Sequence, residues 1–543
     1  MTGKKIFCTF LAVIFMMIFN GKAIYNFGEI HDYVIITTDE LKNATDELKN
    51  WKEAIGYSVK VLTTSWIETN YDGIDLQEKI RNFLIDKYKE WEIDYVLIVG
   101  SSDKIPMRTC CLNPYDHKEE YSIVETDYYY ADLTGSWDFD GDGYFGEWRQ
   151  DKPDFYPEVY VGRIPSNEKE RVRNICQSII NFESSNETWK RNALLIGAIL
   201  YYKNYTDMWG KWNLVDGAAL MEKCRQNIFQ QNGFDVTTLY EKEGLNPSKY
   251  PCDYKLNHSN VLMEYKRGYG IVNMVGHSSS SGIYRWIWVK DDGDSIPEAD
   301  ELTFRNFIKG GDAEEIATEK PSIVFSAGCK QLEGQWNMGR TFIEEGAAVA
   351  FIGATSYSWI NITLKWNNIN DGGALSLDYY FFHYLINKQQ KIGNALYNAK
   401  AYYYNHFGFP ITPKNYKIPW FYANLYGFNL FGDPSLGLFD GKIDSDPPEV
   451  RIEKPKNYLY IFDKEIVPTR NAIIIGKITV EASVSDDVEK VEFYVDNSLE
   501  ACIESEPYSW IWTKFLGMHK LKVVAYDIVG NIGGDELNAF IFS

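Results

Sequence analysis

From Tyr33 onward, short unbroken apolar runs alternate with longer stretches whose apolar residues recur every three or four positions. The runs Tyr33–Thr38, Ser58–Leu62 and Asp94–Gly100 predict buried strands, separated by a polar helical stretch to about Ile55 and a helix from near Asp75. That helix sets Leu76, Ile80, Phe83, Leu84, Tyr88 and Trp91 on one face. An irregular stretch rich in Asp, Gly, Pro and Tyr, roughly 101–190, interrupts the rhythm. It resumes with strand candidates Asn192–Ile199, Phe234–Tyr240, Gly270–Val275, Pro321–Phe325 and Ala347–Ile352, and helical stretches near 215–232, 258–267 and 337–346. Such alternation predicts right-handed βαβ units: two adjacent α/β units with mostly parallel sheets, covering 24–190 and 191–443.

After a linker at Asp444–Pro448 the pattern changes to strand-like runs alone, Ile473–Val484, Val488–Val495, Tyr508–Thr513 and His519–Tyr526. Residues 444–543 therefore predict an all-β sandwich. Its run of Gly476, Val491–Asp496, Pro507-Tyr508, Gly517–Leu521 and Ala525–Asn531 resembles bacterial immunoglobulin-like modules, which implies a spacer or adhesion role and a cell-surface ligand.

The first residues bear on the compartment. Lys4 and Lys5 precede an apolar run from Ile6 to Phe19 and then Asn20-Gly21-Lys22-Ala23, the pattern of a secretory signal with cleavage after Ala23. An uncleaved anchor is the alternative, for which the run is short. No second apolar span follows, so a secreted or cell-surface protein with no membrane span after signal removal is expected. Loss of residues 1–23 removes three lysines and no acid, taking the net charge from −21 to −24. That charge, without a basic stretch to offset it, argues against nucleic acid as a partner. The cysteines left after cleavage, Cys110, Cys111, Cys176, Cys224, Cys252, Cys329 and Cys502, contain no CxxC pair, and their odd number leaves at least one thiol unpaired.

Chemistry in an α/β sheet belongs at the carboxyl ends of strands. Gly270–Gly276 runs into His277 and Ser278, and Pro321–Gly328 runs into Cys329. If these strands are neighbours, His277 can reach Cys329, and the pair suits nucleophilic attack on an acyl group. The imidazole would activate the thiol and later return a proton to the leaving amine, while the backbone N–H groups of Ser278 and Cys329 stabilise the oxyanion. No organic cofactor is required. HExxH and GxSxG patterns are absent.

Three stretches, Val275-Gly-His277, Phe325–Gly334 and Phe342–Ser356, resemble the catalytic half of the gingipain family of secreted cysteine peptidases. Matches at Thr126–Tyr129, Trp137–Gly143, Pro157–Pro165 and Asn429–Leu436 extend the resemblance over about 33–440 in the family's order. It implies a caspase-like sheet, Cys329 as nucleophile, His277 as base, Trp359 as a wall of the substrate pocket, and protein or peptide substrates. Ser278 departs from the glycine common after the family's histidine. The acid that orients the histidine in relatives has no match, since the corresponding strand end at Ile199-Leu200 is apolar; nor is there a marked acid for a basic residue before the cut, Asp207 being a guess.

Asp138, Asp140 and Asp142, with Gly143 and the Tyr144 carbonyl, follow the order by which a loop wraps calcium. Arg149 stands where the bidentate Glu is expected, so Glu147, or a distant carboxylate such as Glu158, would complete the shell. Relatives bind calcium here, which implies a structural ion. Asp291–Asp294 is read as solvated surface. The expected activity is that of a secreted, calcium-stabilised cysteine endopeptidase working through an acyl-thioenzyme. The rivals are an inactive surface-binding or adhesion protein on a peptidase scaffold, and a cysteine transpeptidase.

Overall fold

The computed structural model describes residues 30–360, 365–407, 420–438, 447–485, 488–513, 516–527 and 531–542. The expected signal segment and most of the linker at Asp444–Pro448 lie outside them. The core is one eleven-stranded sheet. In chain order its strands are β1 (Tyr33–Thr37), β2 (Val59–Thr63), β3 (Tyr95–Val99), β4 (Tyr160–Ile164), β5 (Asn192–Gly197), β6 (Asp235–Tyr240), β7 (Tyr254–Lys255), β8 (Ile271–Val275), β9 (Ser322–Ser326), β10 (Ala348–Ala354) and β11 (Phe428–Phe431). Across the sheet they run β7-β6-β5-β8-β9-β10-β11-β4-β3-β1-β2.

Every pairing is parallel except β10 with β11. The late strand β11 thus joins the two expected units, and the four strands of the first run opposite to those of the second. β1, β3, β4, β8, β9 and β10 are buried along their whole length, as strands covered on both faces must be.

The stretch 101–190 corrects the sequence reading, because it contains the central strand β4 and a long helix, Lys169–Ser184. β4 is disguised by a glycine and an arginine. Arg163 is fully buried, its guanidinium bidentate to Asp127 (2.8 and 2.6 Å) and donating to the carbonyls of Gly100 and Ile105, both 2.8 Å away. At Gly162 a side chain would run into Gly432 O, in the turn that leaves β11. Both residues mark the seam between the halves, where Phe431 pairs with Arg163.

The C-terminal strands form a three-stranded and a seven-stranded sheet around their own apolar cluster. One expected strand, Ile473–Val484, is two: Ala472–Ile475 belongs to the larger sheet and Ile478–Val484 to the smaller, the chain crossing between them at Gly476-Lys477. The module packs on the α/β part through Tyr494, Val524, Tyr526 and Ile532, which join the main core. Asn531 accepts hydrogen bonds there from Asn398 (3.0 Å) and Tyr160 (3.5 Å). Among the described residues no helix is long and apolar enough to cross a membrane, and Cys110, Cys111, Cys176, Cys224, Cys252, Cys329 and Cys502 are all free thiols.

Candidate active site

β5, β8, β9 and β10 lie side by side and parallel, so their carboxyl ends share one edge. In that order the following loops present Leu200, His277, Cys329 and, beyond β10, Ser358 and Trp359. The strands carrying His277 and Cys329 are immediate neighbours, with Ile271 opposite Ile323 and Met274 opposite Ser326. Both residues line a cleft of about 500 Å³, together with Ser278, Trp359 and a collar of other aromatic side chains.

His277 Nε2 lies 2.7 Å from Leu200 O. A carbonyl only accepts, so Nε2 carries the hydrogen and, in the neutral ring, Nδ1 keeps the basic lone pair. Edge-on contacts with Tyr201 (5.4 Å) and Trp286 (5.3 Å) fix the ring plane. The orienting group sought among acidic side chains is thus a main-chain oxygen at the apolar strand end itself, and no side-chain signal in the sequence announces it. Burial holds the imidazole below its ordinary value of 6.5; the bond to Leu200 and the charge of Asp207 oppose the shift.

The Cys329 thiol is half-buried, with Ser358 O at 3.7 Å and Ser358 Oγ at 3.8 Å. Burial raises its pKa above the ordinary 9.0, against the bonds to Ser358 and the charge of Lys330. In this conformation the thiol is bonded to Ser358 and the imidazole to Leu200, rather than to each other. Catalytic hydrogen bonds commonly tighten only when substrate binds.

Ser278, where the family's pattern has glycine, braces the two loops. Its hydroxyl donates to Cys329 O (2.8 Å) and lies 2.9 Å from the side-chain amide of the buried Gln331. Gly328 makes this approach possible, because a side chain there would strike Ser278 Oγ. His277–Ser279 pairs antiparallel with Gly282–Trp288 across a two-residue turn, Ser279 opposite Gly282 and Ser278 opposite Ile283.

Trp359 does double duty. Its ring lines the cleft and meets Trp209 at 5.2 Å, and Asn424 bonds its backbone N–H and carbonyl at 2.9 and 2.7 Å. Asp207 is not among the cleft-lining residues. Its carboxylate accepts from Trp209 N (2.8 Å) and Trp212 Nε1 (2.9 Å).

In the acidic loop, ligand atoms of Asp138, Asp140 and Asp142 come within 4.8 Å of one another. A second group, His117, Asp142 and Glu147, is gathered as closely and shares Asp142. Buried Glu147 bonds His117 through one oxygen (2.7 Å), while its other oxygen and the buried Oδ1 of Asp138 have no hydrogen-bond partner among the described residues. Such a set of hard oxygens, two of them unsatisfied, fits a calcium ion. The Tyr144 ring stacks on His117 at 3.5 Å. Glu158 lies elsewhere, accepting from Leu133 N and Thr134 Oγ1, and Arg149 covers Trp148. At Asp291 and Asp292, read as solvated surface, the side chains are exposed, and their ligand atoms lie within 4.8 Å of buried Glu301.

The family described as peptidase family C25 matches residues 28–439, and a bacterial Ig domain matches 466–523. Two solved structures share the fold. The Arg-specific cysteine proteinase gingipain R is 14% identical with a TM-score of 0.54, over 95% of this chain and 99% of that one. The complex of Porphyromonas gingivalis RgpB pro- and mature domains is 15% identical with a TM-score of 0.52, over 94% and 100%. No curated protein matches the chain.

Proposed function

Since the chain belongs to peptidase family C25, we propose that it is an exported cysteine endopeptidase in which Cys329 is the nucleophile and His277 the general acid and base. The observation that carries this reading is the sharing of one cleft by the two side chains on adjacent strand ends, with Leu200 O leaving the imidazole Nδ1 as the base. As the sulfur attacks the scissile carbonyl carbon, its proton passes to His277 and the carbonyl oxygen becomes an oxyanion, met by the N–H groups of Ser278 and Cys329. Collapse breaks the C–N bond, the amine leaving with the proton from His277. Water, deprotonated by His277, then cleaves the thioester and restores the thiol. Incubating an unfolded protein substrate with and without an added amine tests the reaction class. Internal cleavage with new free carboxyl termini is expected; amide products formed in preference to carboxylates would make it a transpeptidase.

The depressed imidazole pKa sets a pH signature. His277 must be neutral to accept the proton, so kcat/KM should fall with a one-proton slope as pH drops through an apparent value below the ordinary 6.5. An acid limb at or above 6.5, measured on kcat/KM, would contradict this assignment.

Asp138, Asp140, Asp142 and Glu147, with the Tyr144 carbonyl, would hold a structural calcium ion that neutralises the loop and takes no part in the chemistry. A chelator is then expected to lower Tm by several degrees, and excess calcium to restore it, as for any ligand that binds only the native state. An unchanged Tm would remove the ion from this reading. Export rests on residues 1–23 as a cleaved signal, and the C-terminal module is read as a spacer or attachment to a cell-surface ligand.

A further inference from the structure

We infer that the cleft beside Cys329 selects a large neutral side chain, an aromatic one by preference, at the substrate residue that donates the acyl group; the inference deepens the peptidase reading and rests on it. The cleft is walled by Tyr121, Tyr201, Trp209, Trp212, Phe304 and Trp359, and its described lining holds no carboxylate, ammonium or guanidinium. Its volume, about 500 Å³, accommodates a bulky group.

A basic residue would need a carboxylate at the base, or lose its hydration without return. Asp207 stands just behind the wall, but both its oxygens are committed to that wall. Oδ1 accepts from the Trp209 N–H and Oδ2 from the Trp212 indole, so the acid holds the two tryptophans in place. Cation–π attraction is the other means by which an aromatic cleft takes a cation. Here Lys330, itself paired to Glu120 (3.1 Å) and Glu333 (3.0 Å), already lies over the Tyr357 ring at 4.2 Å, and Tyr357 lines the cleft, so that ring's cation site is taken and the two carboxylates are engaged by Lys330.

For an aromatic guest the walls are suited. Trp209 meets Trp359 edge-to-face at 5.2 Å and 86°, and Tyr121 meets Trp209 at 5.7 Å and 90°. An incoming ring would extend the same favoured geometry.

The test separates binding from chemistry. The full chain carrying Cys329→Ala is titrated calorimetrically with blocked pentapeptides that differ only in having Phe, Leu or Arg at the acyl-donating residue, while the wild-type protein is offered a mixed peptide library. The Phe peptide is expected to bind at least about tenfold tighter than the Arg peptide, and library cuts to follow aromatic residues. Phe304 is exposed, so Phe304→Asp should leave the fold intact and shift the preference toward Arg. Equal or tighter binding of the Arg peptide, cuts after Arg or Lys, or no peptide binding would overturn the inference. Cuts after Arg or Lys would leave the peptidase reading standing. Selective binding of the Phe peptide without any cleavage by the wild type would support the cleft's preference and sink the peptidase reading instead.

Discussion

Replacing Cys329 by alanine is expected to lower kcat/KM by about four orders of magnitude or more, the scale on which hydrolases respond to loss of a covalent nucleophile. The serines there, Ser278, Ser279 and Ser358, are far weaker acids and nucleophiles than a thiol unless a base activates them. His277→Ala should fall to a similar level, and the double variant should be little worse than either single one, because the two act as a unit. Folding should survive the cysteine change, since the thiol's bonds to Ser358 are long, at 3.7 and 3.8 Å. The control is Cys252→Ala, a half-buried thiol outside the cleft, which should leave kcat/KM unchanged. Peptide hydrolysis that persists in folded Cys329→Ala would refute the assignment.

The largest stability effect is expected far from the cleft, at Asp433. Its carboxylate is fully buried and receives the Lys52 ammonium (2.6 Å), the Tyr33 hydroxyl (2.8 Å), and the N–H and hydroxyl of Ser435 (2.9 and 3.0 Å). Lys52 is itself fully buried, and its one other ion-pair partner among the described residues is Glu183, at 2.7 Å. The cluster ties β1 to the turn after β11, the strand that closes the gap between the two halves of the sheet. Asp433→Ala leaves a buried ammonium half-compensated and is expected to cost about 3–5 kcal/mol. Denaturant unfolding measures it, with a shift in midpoint and little change in slope. Replacing Lys52, Glu183 and Asp433 together by Met, Gln and Leu should cost clearly less than Asp433→Ala alone, because no charge is then stranded. A loss below about 1 kcal/mol for the single variant would mean that solvent reaches the cluster.

How legible this architecture is depends on whether a residue advertises its environment. β1, β3, β8 and β9 read directly, because strands buried on both faces must be continuous apolar runs, and from them follows the edge where His277 and Cys329 stand. β4 does not read, because its Arg163 is paid for by Asp127 and two carbonyls, and its Gly162 by the close approach of Gly432; both partners are distant in sequence. β11 is four residues long and acquires meaning only from the strands beside it. The acidic loop is visible through its aspartate spacing, but His117, some twenty residues upstream, is not. At the site, side-chain chemistry reads well and main-chain chemistry does not: Leu200 O holds the histidine, and no residue type encodes a carbonyl. Ser278, a departure from the family's pattern, gains its bonding role only once the loop of Cys329 lies against it.

The central claim is that the Cys329 sulfur carries the acyl group with His277 as its proton partner. It is tested most directly by mixing the protein with a peptide thioester, quenching in acid within a single turnover, and mapping the adduct by peptide mass. The account predicts an acyl group on Cys329 alone, lost in Cys329→Ala and formed far more slowly in His277→Ala. An adduct on any other cysteine, or steady hydrolysis with no adduct and no effect of His277→Ala, would contradict it.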